Sequence, residues 1–354
     1  MQHHYFAASN SSEGFKSYYH EVFDRAERLY VIKGGPGTGK SSLMKRVTAE
    51  GEREGFEVEY YYCSSDPSSL DGILMSTNDG IIGMVDGTAP HVWEPTYSGA
   101  KDEIVNLGEF WDSRALREQK NEIFSLSNKK SAAFKRAYAY LRSCGNLRAV
   151  TDSLVRKATD FDKLQSAAER LARSLNLEDG VFQKTPALIS AVSMKGKVRL
   201  DTIEKNAVKT WRIGEFYGVG QWFLDALIGS LHKYKCNARI SYDCIEPRYC
   251  DGVLLEQEQI GFILGKENEI GDGRCGNDER FINPKRFVRT DRMREIRGEL
   301  RYASRLYSDC LDGALHALGE AKVYHFLLED IYGHTMDFAA LTDYSRHLIK
   351  KIFQ

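Results

Sequence analysis

The segment LYVIKGGPGTGKSSLMKRV, beginning at Leu29, narrows the folds open to this chain more than any other. The β-branched apolar run Leu29–Ile32 reads as a buried strand. A glycine-rich turn follows at once, and then Leu43, Met44 and Val47 recur at helical spacing until Gly55 closes the helix. Gly34, Gly35, Gly37 and Gly39 let the backbone curl so that its N–H groups face inward, which makes a nest for anions such as phosphate oxygens. The helix that opens near Lys40 adds its N-terminal partial positive charge. Lys40 can reach β- and γ-phosphates, and the Ser41 hydroxyl suits Mg²⁺. The pattern is a Walker A loop. The contacts expected to a bound nucleotide are Gly34, Gly35, Pro36, Gly37, Thr38, Gly39, Lys40, Ser41 and Ser42, with MgATP as the ligand.

A second run, GIIGMVD from Gly80 to Asp86, is an apolar strand ending in an acid, the form of a Walker B segment. Ser41 and Asp86 are the expected metal ligands, and Asp86 would hold Mg²⁺ directly or through water. A third strand, Phe56–Cys63, runs into CSSDPSSLDG and sets Ser64, Ser65 and Asp66 at a strand's C-terminal end, where open α/β sheets bind ligands. Asp66 and Asp71 also read as plain turn and capping residues. Gly87 stands where many ATPases carry a glutamate that polarises the attacking water, so Asp66, Glu94 and His91 are the candidates for that task. The catalytic set expected is therefore Lys40, Asp86, Asp66 and His91, although a loop histidine is often structural.

The chain is internally duplicated. Set VIKGGPGTGKSSLMKRV against RIGEFYGVGQWFLDALI from Arg212, and Ile32 falls on Ile213, an offset of 181 (213 − 32). In this alignment Gly37 meets Gly218, Gly39 meets Gly220, Leu43 meets Leu224 and Cys63 meets Cys244. Asp71-Gly72 then meets Asp251-Gly252, and IIGMVD meets QIGFIL. ATDFDKL at Ala158 matches TMDFAAL at Thr335, an offset of 177 (335 − 158). In the second half Gln221 replaces Lys40, Trp222 replaces Ser41, Leu264 replaces Asp86 and Glu215 replaces Gly34. Each charge-assisted hydrogen bond lost costs about 1.5–3 kcal/mol, so the second half is expected to keep the fold and lose the site.

Both halves run on into charged segments with helical spacing, from Ser113 to about Leu177 and from about Thr290 to Phe353. The expected architecture is α/β: two duplicated P-loop NTPase-like three-layer α/β/α units, each with an appended α-helical hairpin. The first covers 1–188, with its core to about 112 and its tail over 113–177. The second covers 189–354, with its core over about 194–288 and its tail over 289–354. A protein partner could use these tails. The basic stretch from Lys285 to Arg301 reads as a solvated helix face, with nucleic acid as the sharper alternative.

Charge and composition remove other classes. The 49 basic and 50 acidic residues leave a net charge of −1, which steers the chain to neither nucleic acid nor an anionic membrane. No apolar run reaches the roughly 18 residues of a membrane span, and the first residues do not read as a signal peptide. Seven cysteines without a CxxC pair fit small apolar fillers and a cytoplasmic location rather than disulfides or zinc.

HYFAASNSSEGFKSYY, LYVIKGGPGTGKSSLMKRV, CSSDPSSLDG and GMVDGTAPHVWEP with NLGEFWD resemble a group of bacterial tandem P-loop ATPase-like proteins. The resemblance covers nearly the whole chain and implies functional positions at Gly34–Ser41, Asp71, Asp86 and His91. MKGKVR at Met194 resembles the opening of that family's second half. The chain departs from the pattern at Gln221, Trp222 and Leu264, and Gly265-Lys-Glu-Asn stands in place of a second TAPH. Three functions follow as expectations: an ATPase or ATP-driven switch using only the N-terminal site, a small-molecule or nucleotide kinase, or a nucleotide-binding scaffold with negligible turnover.

Overall fold

The computed structural model describes residues 2–265 and 278–353. It contains two six-stranded sheets with one common strand order. In the first, β1 (Gln2–Phe6), β5 (Glu57–Tyr62), β6 (Leu70–Thr77), β7 (Gly80–Asp86), β4 (Arg28–Lys33) and β8 (Asp102–Asn106) lie side by side in that sequence. In the second the order is β9 (Phe182–Pro186), β13 (Cys236–Tyr242), β14 (Cys250–Leu255), β15 (Ile260–Gly265), β12 (Lys209–Gly214) and β16 (Asp278–Ile282). The β5–β6–β7 and β13–β14–β15 pairings are antiparallel and the outer ones parallel, so each sheet is mixed. The duplicated α/β architecture is present as expected. Gly265 ends β15, and the expected departure over Lys266–Asn268 lies outside the described residues.

Period-2 patterning gives the central strand β4 two apolar faces. Tyr30 and Ile32 of β4 meet Leu43, Met44 and Val47 of α2 (Lys40–Arg53) on one face. Leu29 and Val31 turn the other way, toward α1 (Tyr19–Phe23). Gly72 is fixed by this packing, because a Cβ there would come within 2.2 Å of the Phe23 ring. Gly252 makes the same room for Ile203 of α6 (Thr202–Asn206) in the second half. Two hairpins, β2–β3 (Ala8–Ser11, Gly14–Ser17) and β10–β11 (Ser190–Ser193, Gly196–Arg199), lie between the halves. There the Ser9 hydroxyl donates to Cys244 O, and the Asn10 amide donates to Val192 O.

The terminal helix of each tail packs on the opposite core. The first runs through α3 (Ser113–Glu118), α4 (Lys120–Arg156) and α5 (Phe161–Arg173), and the second through α8 (Thr290–His334) and α9 (Phe338–Phe353). Leu164, Ala168 and Leu171 of α5 are buried against α7 (Val219–Leu231) and the second sheet. Leu341, Leu348 and Ile352 of α9 are buried against α2 and the first sheet. The long helices α4 and α8 cross between the halves as an antiparallel pair, with Ala133, Ala137 and Leu141 meeting Ala314, Leu318 and Ala321. Each core is followed by its helices as expected, and the ends of the two tails are exchanged between the halves. Helical periodicity defines an apolar face but not which sheet covers it. The expected boundary at 188/189 also moves, because β9 pairs with β13 and the second sheet already begins at Phe182.

The halves are further joined by a buried ion cluster. Glu59 on β5 accepts from Arg25 of its own half at 2.8 Å and from Arg239 of the other half at 2.6 Å. Six cysteines, at positions 63, 144, 236, 244, 250 and 310, are free, while Cys275 lies outside the described residues. No described helix is long and apolar enough to cross a membrane.

Candidate functional site

The loop between β4 and α2 is built as its residues dictate. Gly37 and Gly39 hold φ of 71° and 88°, the left-handed region that glycine enters without strain, and Gly39 is the N-cap of α2. The Thr38 hydroxyl donates to Gly35 O at 2.8 Å. Lys40 Nζ donates to Gly34 O and Gly35 O at 2.9 and 2.7 Å and lies 3.6 Å from Asp86 Oδ2. The Ser41 hydroxyl oxygen accepts the Leu70 N–H at 3.0 Å.

Asp86 ends β7 beside this loop, as β4 and β7 are parallel neighbours with Ile32 opposite Asp86. Its Oδ1 accepts from Thr88 N and the Thr88 hydroxyl at 2.9 and 2.6 Å. Burial pushes the Asp86 carboxyl up, and the Lys40 ammonium opposes that rise without cancelling it. Lys33 ties down the following loop by donating to Gly87 O, Trp93 O and Glu94 Oε1. Glu94 is thereby engaged with Lys33, and its side chain remains 75% exposed. It is the weakest of the three candidates for orienting water.

Asp71 and His91 form a buried pair, with Nε2 to Oδ2 at 3.0 Å. The His91 ring stacks on Tyr19 at 4.7 Å and meets Phe15 edge-on. Asp71 also accepts hydrogen bonds from Cys63 and Tyr19. Burial would raise the Asp71 pKa, but the His91 charge and these donors outweigh it and hold it low. Burial would lower that of His91, and Asp71 outweighs it in turn, so the imidazole is held toward its protonated form. The reading of Asp71 as a turn or capping residue is corrected, since it lies within β6, is 6% exposed and faces inward among donors. One ligand atom each from Cys63, Asp71 and His91 lies within 4.8 Å of the others. The hydrogen bonds to Asp71 already account for that cluster.

Asp66 is held from the other half: Lys195 Nζ, at the tip of the β10–β11 hairpin, is 2.7 Å from its Oδ1. Burial raises its pKa, and Lys195 with Ser68 more than reverses this. All four expected catalytic residues, Lys40, Asp86, Asp66 and His91, line one cavity of about 870 Å³ with Gly34–Ser42 and Asp71. Oxygen donors suited to Mg²⁺, the Ser41 hydroxyl and the Asp86 carboxylate, are both on its wall.

The roof of this cavity was not legible in the sequence. Lys130, Phe134 and Tyr138 come from α4, His325 and Glu329 from α8, Phe338 from α9 and Met194 from the second hairpin. The long helix packs directly on the loop, since a Cβ at Gly37 would sit 2.5 Å from Glu329 O. The exchange of tails thus makes the second half a wall of the first half's site.

The second half's counterpart is shorter than the alignment implied. Gly39 and Gly218 are both left-handed N-caps, and Leu43 N and Trp222 N donate to those residues' carbonyls. Val219 and Gly220 therefore stand at the places of Lys40 and Ser41, and the loop before them has lost two residues. Gln221 and Trp222 are not the counterparts of Lys40 and Ser41. Trp222, 6% exposed, takes the core-facing place of Leu43 instead of filling a metal position. Leu264 does stand at the place of Asp86, since it pairs with Ile213 as Asp86 pairs with Ile32. Glu215 folds back so that its carboxylate accepts the Gly218 N–H, which puts an acid of the chain itself on the loop's donors.

Together the strand–loop–helix and the mixed sheets define an α/β unit present twice, and only the first copy has the complete glycine-rich loop with an acid on the adjacent strand. Residues 11–132 match the family described as nephrocystin 3, N-terminal, well under half of the 354-residue chain. That match contains the complete loop, Asp71, Asp86 and His91, and ends within α4. No curated protein and no solved structure matches the chain.

Proposed function

We propose that this chain binds one MgATP at Gly34–Ser41 and acts as a slow ATPase or ATP-driven switch, as its motifs' resemblance to bacterial tandem P-loop ATPase-like proteins implies. The observation that carries this reading is the convergence of Lys40, Ser41 and Asp86 on one cavity beneath left-handed glycines and a helix N-terminus. The loop N–H groups and the α2 terminus would take phosphate oxygens. Lys40 would exchange two backbone carbonyls for phosphate oxygens, a move of one flexible side chain. Ser41 and Asp86 would hold Mg²⁺, which neutralises developing charge on the phosphates. Gly87 offers no base, and the Asp71 carboxylate raises the pKa of the His91 imidazole against the effect of its burial, which favours a hydrogen-bond donor's role for His91 over a base's. Slow turnover follows.

The test is purified protein with MgATP, scored for nucleotide retained and for phosphate released with no acceptor present. One nucleotide per chain and slow release are expected. Lys40→Ala should weaken MgATP binding at least tenfold, about 1.4 kcal/mol or more. A variant that binds like wild type would remove the basis of the assignment.

A further inference from the structure

Lys130 is a cation that the motifs do not account for. It lies on α4, lines the same cavity as Lys40, and makes no hydrogen bond or ion pair among the described residues. Burial and the nearby Lys40 charge both lower its pKa, and Glu329 compensates in part. Two ammonium groups facing one cavity repel each other unless negative charge lies between them.

The other end of the same helix shows what such a cation does. Arg148 lies 18 residues along α4 (148 − 130), about 27 Å further on. It sits over the second half's loop, where a Cβ on Gly218 would meet its Nη2 at 2.4 Å; burial pushes the Glu215 carboxyl up, and the Arg148 charge opposes that rise without cancelling it. There an acid of the chain occupies the loop and a helix cation faces it. His325 and Glu329 occupy on α8 the places that Arg148 and Asp152 occupy on α4, at the same 177-residue offset (325 − 148). At the complete loop the permanently charged position has therefore become an imidazole, and Lys130 stands as the roof's ammonium group.

We propose that Lys130 grips the terminal phosphate of the bound nucleoside triphosphate, so that the α4–α8 pair closes on the triphosphate and not on the diphosphate. This rests on the nucleotide-site reading above. The loop and α2 engage the inner phosphates, while Lys40 and Lys130 flank the outermost one. Loss of that phosphate releases the charged contact that ties α4 to the ligand. Because α4 also packs along α8 and over the second loop, both halves would register the change.

The experiment is calorimetric titration of the full chain with a non-hydrolysable ATP analogue and, separately, with MgADP. Lys130→Met removes the charge and keeps an unbranched stem, Lys130→Arg keeps the charge, and Lys129→Met controls for charge on an exposed neighbour. Lys130→Met should weaken the triphosphate analogue about tenfold or more and MgADP less than about twofold. Lys130→Arg should recover most of the loss, and Lys129→Met should change neither ligand. Unaltered affinity for the analogue, equal weakening of both ligands, or the same effect from Lys129→Met would overturn the inference while leaving the site reading intact. Wild-type protein that binds neither nucleotide would overturn both.

Discussion

Trp222→Ala is expected to destabilise the protein by about 3–5 kcal/mol, the usual cost of truncating a buried aromatic. The indole is 6% exposed on the inner face of α7. Its ring meets Phe161 of α5 at 5.3 Å, and the Arg156 guanidinium lies over it at 5.1 Å. Both neighbours belong to the first half's tail, so the variant would open a cavity at the seam where that tail docks on the second sheet. A denaturant melt measures the cost, and hydrogen exchange in α5 should rise with it. Wild-type stability in the variant would mean that the tail is held elsewhere.

The second large effect is at Glu59. Glu59→Ala should cost about 3 kcal/mol or more, because it leaves Arg25 and Arg239 without their shared partner in a buried place. Arg239 keeps Glu256 at 2.7 Å, which limits the loss. Burial alone would raise the Glu59 pKa, but Arg239, Arg25 and the Tyr61 hydroxyl outweigh it and bring it from 4.5 to about 2. A depressed carboxylate stabilises the fold above its unfolded pKa. That contribution, about 3 kcal/mol by linkage, is lost as pH falls from about 4.5 through about 2. Wild-type protein should therefore lose stability over that window more steeply than Glu59→Gln, as read from urea melts at a series of pH values. Parallel curves for the two proteins would show that Glu59 is not held ionised by the arginines.

The sequence made the complete loop and both sheets readable because their signals are local. A β-branched run, four glycines and a helical apolar stripe each act within a few residues. The strand alignment between the halves held for the same reason, and the β4–β7 and β12–β15 registers place Leu264 against Asp86's position. The loop alignment failed by two residues because GVGQW mimics GTGKS by letter, while the left-handed glycine that caps the helix decides the register. The Cys63–Cys244 match failed similarly. Cys63 N donates to Ser69 O and Asp243 N to Tyr249 O, so Asp243 is the true counterpart. Asp71 and His91 were visible as motif residues, but their mutual contact depends on β6 and the loop after β7 meeting in space. The exchanged tails carried no sequence signal, since an apolar helix face is equally satisfied by either sheet. The repeated offset could have paired Arg148 with His325, and with it the helix roof, once the crossing was known.

On the proposed function, one of the two duplicated loops still holds a nucleotide. Calorimetric titration of the full chain with a non-hydrolysable ATP analogue in the presence of Mg²⁺ tests it most directly. Val219, Gly220, Leu264 and the inward-folded Glu215 remove the ammonium, the hydroxyl, the metal carboxylate and the free loop donors from the second half. One site per chain is expected, abolished or weakened at least tenfold by Lys40→Ala. Two comparable sites, or a single site indifferent to Lys40, would contradict it.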